Sequence, residues 1–157
     1  MNKEIVKEIR NIIDVNFDMK NSIGFTGTLK GYGRFGKINQ DIVVRNTKHF
    51  LNFLNYKIYG NKFRRNNLRV KTFVVIEGGE RKNDKNFHIH SIINLPPSNI
   101  ISKHNFIHHF KESWGKGFYS NQQYKFEFFI DSGWSKYITK FINLTDEVDW
   151  ENSHYLI

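Results

Sequence analysis

Two apolar runs with little chain between them narrow the fold more than any other feature. VKTFVVIE (70–77) and FHIHSII (87–93) both have strand character, and the segment joining them, GGERKNDKN (78–86), is polar and glycine-rich. A parallel pair needs a crossover of about a dozen residues or more, so the two strands are expected to be antiparallel neighbours. Pro96 and Pro97 stop the second one. Upstream, SIGFTGTL (22–29) alternates as a half-buried strand, and GYGRFGK (31–37) follows as a flexible basic loop. Thr47 can cap a helix carrying Phe50, Leu51, Leu54 and Ile58, which Gly60 ends. Downstream, Ser102 opens a helix with Phe106, Ile107, Phe110 and Trp114 on one side. QYKFEFFI (123–130) is a further strand, and a last helix runs from about Gly133 to Leu144.

The order β-α-β-β-α-β predicts an α+β fold, a ferredoxin-like or RRM-like antiparallel sheet with helices on one face. Ile5, Val6, Ile9, Ile12 and Ile13 add an amphipathic helix over about 3–13. A chain of 157 residues is expected to form one domain, 1–157, with its core over about 23–144. The acidic end, about 145–157 and including DEVDWE, is expected to be a solvated tail.

Lys and Arg number 24 against 15 Asp and Glu, a net charge of +9, so a polyanion is the natural partner. No apolar run approaches the roughly 20 residues of a membrane span, and no signal-peptide pattern opens the chain. Cysteine is absent, which excludes disulfides and thiolate metal sites. An intracellular protein fits these features.

Within the second strand, His88 and His90 stand two positions apart, which puts both imidazoles on one face while Phe87, Ile89, Ser91 and Ile93 take the other. With seven histidines in the chain the spacing alone decides nothing. Glu77 ends the preceding strand, and a hairpin brings its carboxylate toward the pair. One Glu and two His suit Mn²⁺ or Mg²⁺, with imidazole favouring Mn²⁺ of the two, and leave positions open for phosphate oxygens. In SKYITKF, Tyr137 sits at the border of a stripe formed by Trp134, Ile138, Phe141 and Ile142, where its hydroxyl can reach a site on the sheet. Lys140, three residues on, is its helical neighbour and offers a cation to a phosphate.

Other features carry less. GYGRFGKI matches the spacing of a phosphate-binding loop, but Ile38 stands where a Ser or Thr should hold magnesium, and INQDIVV does not begin a helix. His104 and His108 have a zinc-compatible spacing but lie opposite the apolar stripe of their helix. For DNA binding the candidates are Lys30, Tyr32, Arg34, Phe35 and Lys37 in the glycine-rich loop, and Lys62, Arg64, Arg65, Arg69 and Lys71 before the first hairpin strand. The cations would meet phosphates, and Tyr32 and Phe35 would stack bases.

Taken in order, FTGT (25–28), the strand ending at Glu77, HIH (88–90), Trp114 with Gly117, and YITKF (137–141) resemble the HUH endonucleases. Within that superfamily the likeness is to single-tyrosine rolling-circle replication initiators of small phages, plasmids and single-stranded DNA viruses. The resemblance implies His88 and His90 as metal ligands, Glu77 as the third, Tyr137 as nucleophile and Lys140 as its electrostatic helper. It further implies nicking and joining of single-stranded DNA at a replication origin through a 5′-phosphotyrosine, by a monomer that relies on a separate helicase and a host polymerase, in a bacterial cytoplasm in preference to a eukaryotic nucleus. Gly27 stands where the family usually has a bulkier residue. Tyr119, in an expected loop, and Tyr124, on an apolar strand face, are weaker nucleophile candidates. Two other readings compete. A single-tyrosine transposase would need a polar residue four positions after the tyrosine, where Phe141 stands. A non-catalytic single-stranded nucleic-acid-binding module would use the open sheet face for stacking bases.

Overall fold

The computed structural model describes residues 3–79, 84–140, 142–143 and 145–156. Helix α1 (Lys3–Asn16) leads into β1 (Ser22–Leu29), a small hairpin of β2 (Tyr32–Gly33) and β3 (Gly36–Lys37), and the long helix α2 (Gln40–Tyr59). The short α3 (Asn61–Asn66) precedes β4 (Thr72–Gly79) and β5 (Asp84–Asn94), after which come α4 (Lys103–Gly115), β6 (Ser120–Glu127) and α5 (Ser132–Thr139). The main sheet has the order β4-β5-β1-β6, with every neighbouring pair antiparallel. This is the ferredoxin-like arrangement, and β4 pairs with β5 as the short connection requires.

The helices occupy both faces of the sheet, not one as expected. On the first face Ile23, Phe25 and Leu29 of β1 meet Phe50 and Leu54 of α2 and Phe106, Phe110 and Trp114 of α4. On the second, Phe73 and Val75 of β4 and Ile92 of β5 meet Val6, Ile9 and Ile13 of α1 and Ile138 of α5. Because alternate strand residues are apolar on this second face too, leaving it open would expose them. Each buried Val or Ile returns roughly 1.5–3 kcal/mol, and the amphipathic α1 supplies three.

Other boundaries differ for local reasons. Helix α2 starts at Gln40, seven positions before Thr47, because the Asn39 side chain accepts from the Ile42 N–H at 2.9 Å. INQDIVV therefore does begin a helix. Thr47 is instead an interior residue, its Oγ1 buried without a hydrogen-bond partner. The glycine-rich segment is a hairpin, not a flexible loop, because the Tyr119 hydroxyl accepts from the Phe35 N–H and donates to the Gly36 carbonyl, each at 2.9 Å. With its chain folded back at Gly36, and Ile38 buried in the core, that hairpin cannot wrap a phosphate. Gly60 ends α2 with a φ of 56°, as glycine there permits, and Ser102 caps α4 by accepting from the Asn105 N–H.

The acidic end is not a solvated tail. Val148 pairs with Val75 and His154 with Thr72, while the Val74 carbonyl and N–H bond to the Asp149 N–H and the Ser153 hydroxyl. Unpaired polar groups along the outer edge of β4 are satisfied this way. Among the described residues no helix is long and apolar enough to cross a membrane.

Candidate metal and nucleophile site

Antiparallel register aligns three rows of side chains across the second face. Glu77, His88 and Thr28 are cross-strand partners in one row; Val75, His90, Thr26 and Lys125 form the next; Phe73, Ile92, Gly24 and Glu127 the third. The first two rows carry the chemistry, and the third is apolar at its centre.

Both imidazoles are held from behind by β1. The Thr26 hydroxyl lies 3.0 Å from His90 Nδ1, and the Thr28 hydroxyl 3.1 Å from His88 Nδ1. A hydroxyl both donates and accepts, so each threonine accommodates either ring tautomer while fixing ring orientation. On the far side of its ring, His90 Nε2 lies 2.5 Å from Glu77 Oε2. The carboxylate thus reaches diagonally past its direct partner His88. His90 is almost fully buried, with Glu77 and His88 partly exposed beside it.

Tyr137 approaches from α5. Its ring meets that of His90 edge-on, with centroids 5.6 Å apart, and 40 % of the residue is exposed. Lys140 caps the helix with its ammonium 4.5 Å from the centre of the tyrosine ring. Helix α5 is set on the sheet by Trp134, whose indole N–H reaches the Ser91 carbonyl at 3.3 Å and whose ring lies over Gly24. A Cβ on Gly24 would come within 2.5 Å of that ring, so glycine here is the condition for the helix to sit so close. Arg10 of α1 adds a bond from Nε to Thr139 Oγ1 at 2.8 Å. A cleft of about 480 Å³ opens beside Tyr137, lined by Thr26, Lys125, Glu127, Trp134 and Asp131 among others.

Compared with protein-family models, curated proteins and solved structures, the chain matches none at a significant level. The residues themselves therefore carry the functional reading.

The donor set suits a divalent ion: a carboxylate oxygen and an imidazole nitrogen in contact, a second imidazole on the same face, and both rings oriented through their other nitrogen. The ligand atoms of all three residues do not yet converge within 4.8 Å; among the described residues only His108, His109 and Glu112 do. That second group is on the exposed side of α4, and Glu112 is already shared with Lys57 at 3.6 Å. The His109 hydrogen bond, with Lys57 and His108 adding charge, holds the Glu112 carboxyl below its ordinary range. His104 is exposed and outside this group.

The weaker tyrosines change places relative to expectation. Tyr119 is not in an open loop but fully buried, its hydroxyl spent on the β2–β3 hairpin. Tyr124 is 37 % exposed, yet it pairs with Gly27 and so points to the α2–α4 side, away from the histidines. Phe141 lies outside the described residues.

The two basic groups are separated. Lys30, Tyr32, Arg34, Phe35 and Lys37 follow directly on Thr28 and lie at the same end of the sheet as His88 and Glu77. Lys62, Arg64 and Arg65 lie on exposed α3, and Arg69 and Lys71 precede β4 at its other end, so that six residue steps along the strand, roughly 20 Å, divide Lys71 from Glu77. Arg69 is committed locally, bonded to Asn67 and Asn52 with its guanidinium 4.7 Å from the Phe63 ring centre.

Sequence reasoning missed Thr26 and Thr28 as the residues behind the histidines. Their signal was the alternation in FTGT, legible only once β1 is known to pair with β5. It missed Lys125 for the same reason.

Proposed function

We propose that this protein is a metal-dependent endonuclease of single-stranded DNA that works through a covalent tyrosine intermediate, as the HUH initiators of rolling-circle replication do. The observation that carries the reading is the placement of Tyr137 against His90, on the face shared by Glu77 and His88 and beside an open cleft whose lining includes Lys125, paired with Glu127. Glu77, His88 and His90 would hold Mn²⁺ or Mg²⁺, which when bound supplies positive charge to the phosphate oxygens. The Tyr137 oxygen forms a bond to phosphorus, the bond from phosphorus to the 3′-oxygen breaks, the phenol proton is released and the departing oxygen gains one. The products are a 5′-phosphotyrosine and a free 3′-hydroxyl, and the reverse reaction joins strands. Lys140, over the tyrosine ring, offsets charge that develops on the phosphate.

A non-catalytic binding module has less support, because the face such a module leaves open for stacking is covered here by α1 and α5. A Tyr137→Phe variant removes one exposed oxygen and keeps the ring against His90 and Trp134. With Mn²⁺ and single-stranded oligonucleotides, wild-type protein is expected to give a covalent adduct on a denaturing gel, mapped to Tyr137 by mass spectrometry. The Phe variant should fold and bind equally but give none. An undiminished adduct in that variant, or linkage to Tyr124, overturns the assignment.

A further inference from the structure

Two clefts lie at the end of the sheet on the side packed by α2. The first, about 430 Å³, is lined by Ile76, Gly78 and Phe87, chain neighbours of Glu77 and His88 on the opposite face, and by Lys37, Asn39 and Glu147. Asn39 also lines the second, about 490 Å³, which lies between the β2–β3 tip, the first turns of α2 and the connection from α4 to β6. Both fall within the range of small-molecule sites, about 300–1,000 Å³. They form one path.

The second cleft is walled by rings. His49 stacks on Phe118 with centroids 5.1 Å apart and 21° between planes, and Phe35 meets Phe118 edge-on at 5.6 Å. The Arg34 guanidinium lies 5.1 Å from the Phe118 ring centre. Despite these contacts, 62 % of Phe35 and 40 % of Phe118 remain exposed. The tip is held rigid from below by Tyr119, so the rings are presented by a fixed frame. On the helix side Asp41 and Arg45, one turn apart, offer an acceptor and a donor to the same space. Exposed flat rings interleaved with cations, in a chain of charge +9, suit an unstacked base on a phosphate backbone.

We propose that this pocket holds one unstacked nucleobase of the single-stranded DNA, its ring against Phe35 and the His49–Phe118 pair and its backbone passing along Lys37. The proposal rests on single-stranded DNA being the substrate. Guanine fits the polar pair best, because its N1–H and N2–H can both donate to the Asp41 carboxylate while O6 accepts from Arg45.

The probe is a labelled oligo-dT carrying a single dG, walked through successive positions, with binding to the Tyr137→Phe protein read by fluorescence anisotropy. One position should tighten binding about ten-fold. Asp41→Asn should abolish that preference while changing the affinity for plain oligo-dT by no more than about two-fold, since stacking and phosphate contacts remain. The double variant Phe35→Ala with His49→Ala should abolish the preference and also weaken plain oligo-dT, because a thymine stacks on the same rings. Circular dichroism melts confirm folding. A dG effect at no position, or one that survives in both variants, overturns the pocket. A dG effect without any tyrosine adduct from wild-type protein overturns the nuclease reading alone; an adduct without a dG effect overturns the pocket alone. No binding to single strands overturns both.

Discussion

On one face of the sheet Phe25 lies among Phe50, Phe110, Trp114 and Phe126, with ring centroids 4.7–6.3 Å apart. One residue along the same strand, Thr26 faces the other way and holds an imidazole. The first face is packed by α2 and α4 with no titratable group among its buried aromatics except the tied Tyr119. The second is apolar only where α1 and α5 cover it, and polar where the two histidines, Glu77 and the two threonines meet. A single strand thus serves stability with its odd residues and the proposed chemistry with its even ones, because a pleated strand points successive side chains to opposite sides.

The largest effects should separate the faces outright. Replacing Phe25 with alanine is expected to cost about 3–5 kcal/mol in stability, measured by denaturant unfolding. Replacing His88 and His90 together with alanine should abolish nicking and cost no more than about 1–2 kcal/mol, since one ring is partly exposed and the other loses two hydrogen bonds. Nicking at the wild-type rate by the double variant would break the comparison.

The next test concerns the chain that covers the β4 edge. Burial pushes the Asp149 carboxyl from 3.8 up to about 6, against the opposing hydrogen bonds from Asn152. The fold therefore holds this proton more tightly than the unfolded chain does. Its contribution is fully present below pH about 4 and is lost as pH rises through about 6, a span worth about 3 kcal/mol at one unit per 1.36 kcal/mol. Thermal melts of wild type and Asp149→Asn across that window should diverge as pH rises, the variant keeping the stability that the wild type loses. Parallel curves would refute the burial account.

Two glycines of β1 sharpen the contrast further. A Cβ on Gly27 would lie 2.5 Å from Trp114 on the packed face, and one on Gly24 equally close to Trp134 on the histidine face. Gly27→Ala should therefore lower stability by about 1–3 kcal/mol and leave nicking alone. Gly24→Ala should push α5 outward, displace Tyr137 and slow nicking about 10- to 100-fold at little cost in melting temperature. Equal behaviour of the two variants would mean that the faces are not functionally distinct. Bulk at Gly27 is absent because Trp114 already fills that space.

The smallest expected effect lies behind the histidines. Thr26→Val keeps the shape and removes the hydrogen bond to His90 Nδ1. Losing such an orienting partner weakens metal affinity about 10- to 100-fold, which a Mn²⁺ titration of nicking would show as a shifted midpoint with an undiminished plateau.

From the sequence alone came whatever depends on neighbours along the chain. The shortness of the polar stretch between the two apolar runs dictated an antiparallel β4–β5 pair, strand alternation put His88 and His90 on one face, and Gly60 and Ser102 marked helix ends, all from local sterics and capping. Tyr137 was placed at the border of its helix by a periodicity of 3.6 residues, and there it stands. Only the tertiary structure decided what depends on partners far away in sequence. Register between β1 and β5 put Thr26 and Thr28 behind the histidines across 60 or more residues. Helices α1 and α5 closed the second face, and residues 148–154 took the β4 edge, where composition alone suggested a tail. Such pairings form because buried apolar area and unpaired backbone groups must find a partner somewhere in the fold, a demand that local sequence states without naming which distant segment will meet it.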